Sequence, residues 1–195
     1  MHSSVRRRAR SGLTLIELMI TLTIGAILLA LAVPQMREYI ARKRVSGTAT
    51  ELAADIRLAR SMVQQQNQPI WINFGSTSDF TCYVVYTEGA GADFCDCTRT
   101  SAPMCDVTPG GSADDSIVLR SVIIKRNTGI AVTATAMNLI YTQPVGAPQT
   151  FGGTSAEAEV NGGSLGGRVK LILSGLTRAT ICSLAGHTAE FGDCP

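Results

Sequence analysis

Aromatic side chains are scarce in this chain: five Phe, four Tyr and one Trp make up 5% of 195 residues. So thin a supply argues against a surface on which nucleic-acid bases stack. Histidine is scarcer, with His2 near the start and His187 in a Gly- and Thr-rich tail. A hydrolytic triad would have to use His187, and nothing near it marks a nucleophile elbow. A surface position is the plain reading of that residue, so neither an enzyme activity nor a cofactor is expected. A true basic excess is missing as well. The formal charge of +2 comes from a head that carries Arg6, Arg7, Arg8 and Arg10 and no acid. Without residues 1–12, 13 basic side chains remain against 15 acidic ones, a net of −2. Any nucleic-acid role would then need a local patch.

What the chain does have is one long hydrocarbon run. From Leu18 to Val33 the only polar side chains are Thr21 and Thr23. Leu13, Leu15 and Ile16 extend the run to the length of about 20 residues that spans a bilayer. The arginine cluster upstream should stay in the cytoplasm, which places everything after Pro34 on the far side. Glu17 is out of place in such a segment. A carboxylate in a membrane helix costs about 2.5–3.5 kcal/mol at mid-bilayer and less towards the interface, so it calls for a partner. An ordinary secretory signal would carry a small-x-small cleavage site after its apolar core. Ala30-Leu31-Ala32 supplies a mediocre one but leaves the glutamate, five residues after Gly12 and its arginine cluster, unexplained.

Pro34 removes a helical hydrogen bond and predicts a kink or a locally melted turn. Beyond it Val45, Ala49, Leu52, Ile56, Ala59 and Val63 recur at spacings of 4, 3, 4, 3 and 4, one apolar stripe of a helix. Glu51, Asp55, Arg57 and Arg60 fall largely on other faces. The polar run Gln64 to Asn67 and Pro69 end the helix. A continuous helix from Leu13 to Gln66 would be about 80 Å long. The stripe is too short for a sustained coiled coil and strand-like segments follow at once, so it should pack under a sheet.

Ile70 to Phe74, Thr81 to Thr87, Ser116 to Lys125, Ile130 to Thr133 and Met137 to Thr142 read as strands, with Asn127-Thr128-Gly129 as a turn. Gly- and Pro-rich stretches predict two long loops, Gly89 to Asp115 and Pro144 to Gly167. Arg168 to Leu173 and Arg178 to Cys182 predict a terminal hairpin. The fold class is therefore α+β: a transmembrane helix half (13–34) and an amphipathic half (35–66) packed against an antiparallel β domain (67–195), after a leader (1–12).

Six cysteines, Cys82, Cys95, Cys97, Cys105, Cys182 and Cys194, follow the membrane segment. Outside the cytoplasm an even count reads first as disulfides. Cys182 with Cys194 would close a C-terminal loop, and Cys82 would join one of the other three. Cys95 and Cys97 should take different partners, because bridge geometry disfavours so close a pair. The set lacks the second paired cluster of a structural zinc site. Asp93, Asp96, Asp106, Asp114 and Asp115 offer oxygens to calcium, but their spacing matches no EF-hand loop. No metal is expected. Glu157 and Glu159 are most simply solvent-facing.

Gly12-Leu13-Thr14-Leu15-Ile16-Glu17 resembles the class III signal of type IV pilins and type II secretion pseudopilins. In that family a membrane-embedded prepilin peptidase cuts after the glycine and methylates the new amino terminus. The resemblance implies that Gly12 ends the leader and that Leu13, where the family usually has phenylalanine, becomes the N-methylated first residue. Glu17 becomes the fifth-position glutamate used in assembly. It also implies a pilin-like fold and a single-pass inner-membrane protein with a cytoplasmic N-terminus and a periplasmic head, held after assembly in a pseudopilus or pilus. The implied partners are other pilin or pseudopilin subunits, the prepilin peptidase, an inner-membrane assembly platform and membrane lipid.

Leu58-Ala59-Arg60-Ser61, Leu139-Ile140-Tyr141 followed by Gly146, and the closing strand pair ending in Cys182 are similar to the GspH/FimT group of minor pilins and pseudopilins. That group implies a minor, tip-proximal subunit that initiates or caps a secretion pseudopilus or primes a type IV pilus. The alternative it raises is a DNA-binding subunit in natural transformation, acting through a C-terminal Gly-Arg-x-Arg pattern. Thr177-Arg178-Ala179-Thr180 stands at that place and keeps one arginine, while Gly167-Arg168-Val169-Lys170 resembles the pattern one strand earlier. Arg168, Lys170 and Arg178 could cluster across the hairpin to bind phosphate. Solvated strand charge is the plainer reading of them.

Overall fold

A computed structural model describes residues 14–87, 95–99, 104–105, 117–135, 138–141, 148–150, 155–174, 179–184 and 190–194. The chain divides into two compact units, Met1–Arg37 and Glu38–Pro195. Helix α1, Leu15–Gln66, supplies the described part of the first unit and opens the second. It ends where the polar run predicts, with Asn67 at a φ of 53° and its N–H donating to the Val63 carbonyl. Asparagine is among the few side chains that take this left-handed conformation readily.

Among the described residues nine strands build the head: β1 (Ile70–Ser76), β2 (Phe80–Thr87), β3 (Val118–Lys125), β4 (Ala131–Ala134), β5 (Asn138–Tyr141), β6 (Pro148–Thr150), β7 (Ser155–Asn161), β8 (Arg168–Ser174) and β9 (Ala179–Leu184). A one-turn helix α2, Gly163–Gly166, lies between β7 and β8. The predicted turn is a short 3-10 segment, Arg126–Thr128, closed by Gly129. It carries the chain from one sheet to the other, because β3 and β4 belong to different sheets. The first sheet has the order β3-β2-β1-β5-β6 and the second β4-β7-β8-β9, and all their pairings are antiparallel.

Two expectations need correction. The single predicted sheet is two, and the predicted loop from Pro144 to Gly167 contains β6, β7 and α2. Strand β7 alternates Ala156, Ala158 and Val160, which are buried, with Glu157 and Glu159. Its period of two is regular, but alanine contributes little apolar area, and the surrounding glycines and prolines outweighed it.

Every residue of the predicted helix stripe is buried. Val45, Ala49, Leu52, Ile56, Ala59 and Val63 share one core with Ile70, Ile72 and Phe74 of β1, Tyr83 and Val85 of β2, and the inner residues of β7 and β8. The opposite face of the first sheet has its own smaller core, where Trp71, Val84 and Tyr86 pack with Cys82, Cys95 and Cys97. Trp71 and Tyr86 face each other in register with stacked rings 6.4 Å apart. Strand β2 is consequently buried along both faces.

The six cysteines form Cys82–Cys97, Cys95–Cys105 and Cys182–Cys194. Cys95 and Cys97 do take different partners, so the cystine segment folds over the far face of the first sheet. Gly75 makes room for it. It pairs with Cys82 across the ladder, and a Cβ there would lie 2.5 Å from Thr98 Cγ2 and 3.0 Å from Cys97 Sγ. Overpacking of this kind costs about 1–3 kcal/mol. Gly75→Val should therefore lower the yield of the Cys82–Cys97 bridge, read by mass mapping of the non-reduced protein. A complete bridge at parental yield would contradict this packing.

Candidate assembly and anchoring site

Thr14 immediately precedes α1, and its hydroxyl oxygen accepts the Glu17 backbone N–H at 3.3 Å. The Leu18 N–H donates to the Thr14 carbonyl at 3.2 Å. Thr14 thus caps the helix, and Glu17 places its charge in the first turn, at the positive end of the helix dipole. Thr14-x-x-Glu17 is the spacing of a capping box, a signal in the sequence that the membrane reading passed over. Glu17 is exposed and makes no ion pair among the described residues. Gly12 and Leu13, the expected cleavage and methylation positions, lie outside the described residues.

The apolar side chains that follow Glu17 find no cover among the described residues. An 18-residue apolar window of α1 has none of its residues buried, and the helix is long and apolar enough to cross a membrane. Its two polar side chains are satisfied locally. The Thr21 hydroxyl donates to the Leu18 carbonyl at 2.9 Å, and that of Thr23 to the Ile20 and Met19 carbonyls at 2.8 and 3.0 Å. The surface offered to the surroundings is then nearly pure hydrocarbon, as spanning requires. The helix continues unbroken through Pro34, so the locally melted turn expected there does not form.

In the head, Asp55 departs from the expectation that it sits off the buried face, being 7% exposed. Two donors satisfy it: the Tyr83 hydroxyl at 2.8 Å and Arg120 Nε at 2.8 Å. A second Arg120 nitrogen reaches Glu51 at 2.6 Å. Burial, followed by the bond to Asp55, pushes the Tyr83 hydroxyl well above its ordinary value. The bond to Asp55 likewise raises Arg120. This network joins α1 to β2 and β3 and is a fastening; it offers no nucleophile or base to a substrate.

A second fastening involves residues that the sequence does not single out. Glu190 pairs with Lys43 and accepts the Ser46 hydroxyl, both on α1. The following residues return to β9, where the Ser183 N–H donates to the Gly192 carbonyl at 2.8 Å and the Cys194 N–H to the Ser183 carbonyl at 3.2 Å. Lys43 and Glu190 are 147 positions apart, so no local pattern could have joined them. Their bond raises the Lys43 amine and lowers the Glu190 carboxyl from their ordinary values.

The candidate phosphate-binding cations are not bare. On β8, Lys170 pairs with Glu157 at 2.6 Å and Arg168 lies 3.7 Å from Glu159. Arg178 and His187 lie outside the described residues, as do Asp93, Asp106, Asp114 and Asp115. The remaining loop carboxylate, Asp96, accepts the Thr98 N–H and hydroxyl, each at 2.8 Å. No group of three or more His, Cys, Asp or Glu suited to a metal occurs among the described residues.

Residues 7–33 match the prokaryotic N-terminal methylation motif. Residues 48–177 match the model of the type II transport protein GspH. Among curated proteins, two fimbrial proteins from Pseudomonas aeruginosa are 43% identical over 56 residues, which is 29% of this chain and 36% of each relative. The chain thus spans about a third of the length of the curated relatives it matches. Among solved structures, the type IV minor pilin FimU of Pseudomonas aeruginosa PAO1 aligns with a TM-score of 0.46 and 18% identity, over 75% of this chain and 92% of FimU. That likeness is too slight to carry an argument.

The two fastenings make separate predictions. Asp55→Ala leaves the Tyr83 hydroxyl buried without an acceptor and should cost about 1–3 kcal/mol in urea unfolding; Asp55→Asn, which keeps an acceptor, should cost less. For Glu190 the folded value lies below the ordinary 4.5, so its stabilisation is complete above that pH and fades as pH falls through the folded value. For Lys43 the folded value lies above 10.5, so its stabilisation is complete below that pH and fades as pH rises through the folded value. The stability gap between the parent and Glu190→Gln should therefore be steady near neutrality and close in acid and in strong alkali. A gap that persists in acid would contradict the pairing.

Proposed function

The chain belongs to the family of the type II transport protein GspH, and from that premise we propose that it serves as a minor subunit in the tip or initiation complex of a type II secretion pseudopilus. The type IV pilus is the other fibre open to it. It is a membrane-anchored structural subunit of the pilin and pseudopilin kind rather than an enzyme, and it assembles with other pilin subunits. The observation that carries the proposal is the split character of α1. One half buries its stripe under the head, while the other buries nothing and begins with a lone carboxylate.

The precursor enters the inner membrane with Arg6, Arg7, Arg8 and Arg10 on the cytoplasmic side, and the head is carried into the periplasm. A prepilin peptidase cuts after Gly12, and the Leu13 amine, then methylated and protonated, carries a positive charge four residues from Glu17. While the subunit is stored in lipid, the capping geometry of Thr14 and the helix dipole moderate the cost of that carboxylate. An assembly platform then moves the helix out of lipid and into a bundle of neighbouring helices. There Glu17 of one subunit meets the Leu13 amine of another, which offsets the desolvation of both and sets the axial register.

Removing one partner of a buried ion pair costs about 3–5 kcal/mol. Glu17→Ala should accordingly insert in the membrane and lose its leader normally, yet fail to co-purify with the other fibre subunits. Recovery of that variant in the fibre at the parental level would overturn the proposed pairing. Gly12→Val should instead accumulate as an uncut precursor, visible as a slower gel band.

A further inference from the structure

A sheet that does not close has two edges, and each edge turns unpaired N–H and C=O groups outward as a template for another strand. Among the described residues the head has four such edges, β3 and β6 in the first sheet and β4 and β9 in the second. Three of them are protected. Strand β6 spans three residues and opens with Pro148. Strand β4 spans four, and its Val132 N–H donates to the Thr81 hydroxyl oxygen at 3.0 Å. Strand β9 is covered near its end by the C-terminal segment, which bonds both the N–H and the carbonyl of Ser183. Strand β3 has eight residues, no proline and no such cover among the described residues.

The register of β3 shows what its edge offers. The Arg126 N–H donates to the Asp79 carbonyl at 2.8 Å, and the neighbouring Lys125 pairs with Phe80. Bonded and non-bonded pairs alternate along an antiparallel ladder. Ile124, Val122 and Arg120 therefore bond β2, while the N–H and C=O of Ile123 and Ser121 point away from the sheet. The side chains alternate too. Ile123 pairs with Cys82 and lies on the outer face, 54% exposed. Val122 and Ile124 lie on the inner face and are only partly buried against the core. Beside them Glu51, Asp55 and Leu58 form one line along α1; the first two bond Arg120, and Leu58 is exposed. Lys125, at the end of the strand, is exposed and makes no ion pair among the described residues.

We infer that the β3 edge receives an extended segment of a partner protein, which adds a further antiparallel strand to the first sheet. Each requirement on that segment comes from the edge itself. Its backbone must be extended to bond Ser121 and Ile123. Its alternate side chains must be apolar, to cover Val122, Ile124 and Leu58 on the inner side. A carboxylate near its N-terminal end would meet Lys125. In strand addition of this kind the main-chain bonds supply affinity and the alternate side chains supply specificity. The inference lies wholly within the head and does not depend on which fibre the subunit enters.

The test uses the full chain in dodecyl maltoside micelles. The probe is a fluorescein-labelled peptide of about nine residues, the length of an ordinary strand, with an N-terminal Glu followed by alternating Val and Thr. Its anisotropy should rise to saturation with the parent. Two versions N-methylated at every second residue, in opposite phase, should differ: one keeps binding and the other loses about tenfold or more, because only one side of the peptide faces the edge. Ser121→Pro removes one outward N–H, a change an edge strand tolerates, and should weaken binding about tenfold while urea unfolding stays near that of the parent. Lys125→Glu should weaken binding about fivefold, and a peptide with Lys in place of its Glu should regain the loss; this pair decides the matter should Ser121→Pro not fold. Equal affinity of the two N-methylated versions, unchanged affinity in the folded variants, or no saturable binding by the parent would overturn the inference. A parent that ignores the peptide but doubles its protein mass with concentration, and stops doing so in Ser121→Pro, would assign the edge to a second copy and overturn the peptide site.

Discussion

Burial of the stripe from Val45 to Val63 by two separate sheets is the contact on which the rest of the head depends. Each sheet turns an apolar face towards the helix, and neither can cover that face with its own strands. The helix supplies the missing surface to both. The stripe is therefore rich in small side chains, with Ala49, Ala53 and Ala59 among its buried members. Polar fastenings sit around its margin: Asp55 with Tyr83 and Arg120 towards the first sheet, and Lys43 and Ser46 with Glu190 towards the C-terminal segment. Exposed ion pairs contribute little by themselves. The Asp55 network differs, because Asp55 and Tyr83 are buried, so that losing the carboxylate leaves the tyrosine hydroxyl without a partner.

The same helix meets two kinds of surroundings along its length, and the sequence records the change. Before Pro34 it is apolar all round, and its threonines bond their own backbone. After Arg37 apolar side chains narrow to a stripe, and charge occupies the remaining faces. A helix apolar on every side is stable only in lipid or among other such helices. In the proposed assembly one apolar neighbour is exchanged for another with little change in hydrogen bonding, and Glu17 would be the group whose surroundings differ most between the two.

Periodicity made the main elements legible. The helical stripe, the first strands, the Asn127-Thr128-Gly129 turn and the terminal hairpin all follow from local spacing, and the separation of Cys95 from Cys97 follows from disulfide geometry. Strand β7 was hidden because Ala156 and Ala158 give its alternation too little hydrophobic contrast. The second sheet was hidden with it, since β7 is the link between β4 and β8. Asp55 looked like a surface carboxylate because its donors come from 28 and 65 positions away. The Glu190 contact spans more than twice that distance. The cap that Thr14 places on the Glu17 N–H is local as well, but the same glutamate already had a more conspicuous explanation.

The three disulfides close short stretches, with separations of 15, 10 and 12 residues. Each ties a strand or a loop to its own neighbourhood, and none joins α1 to a sheet or one sheet to the other. Apart from the backbone that runs from Gln66 into β1, tension applied to a subunit through its helix is therefore resisted by non-covalent packing. The mechanical strength of the joint is set by how firmly the Val45-to-Val63 stripe and its polar margin resist shear, and oxidising the cysteines does nothing to reinforce it.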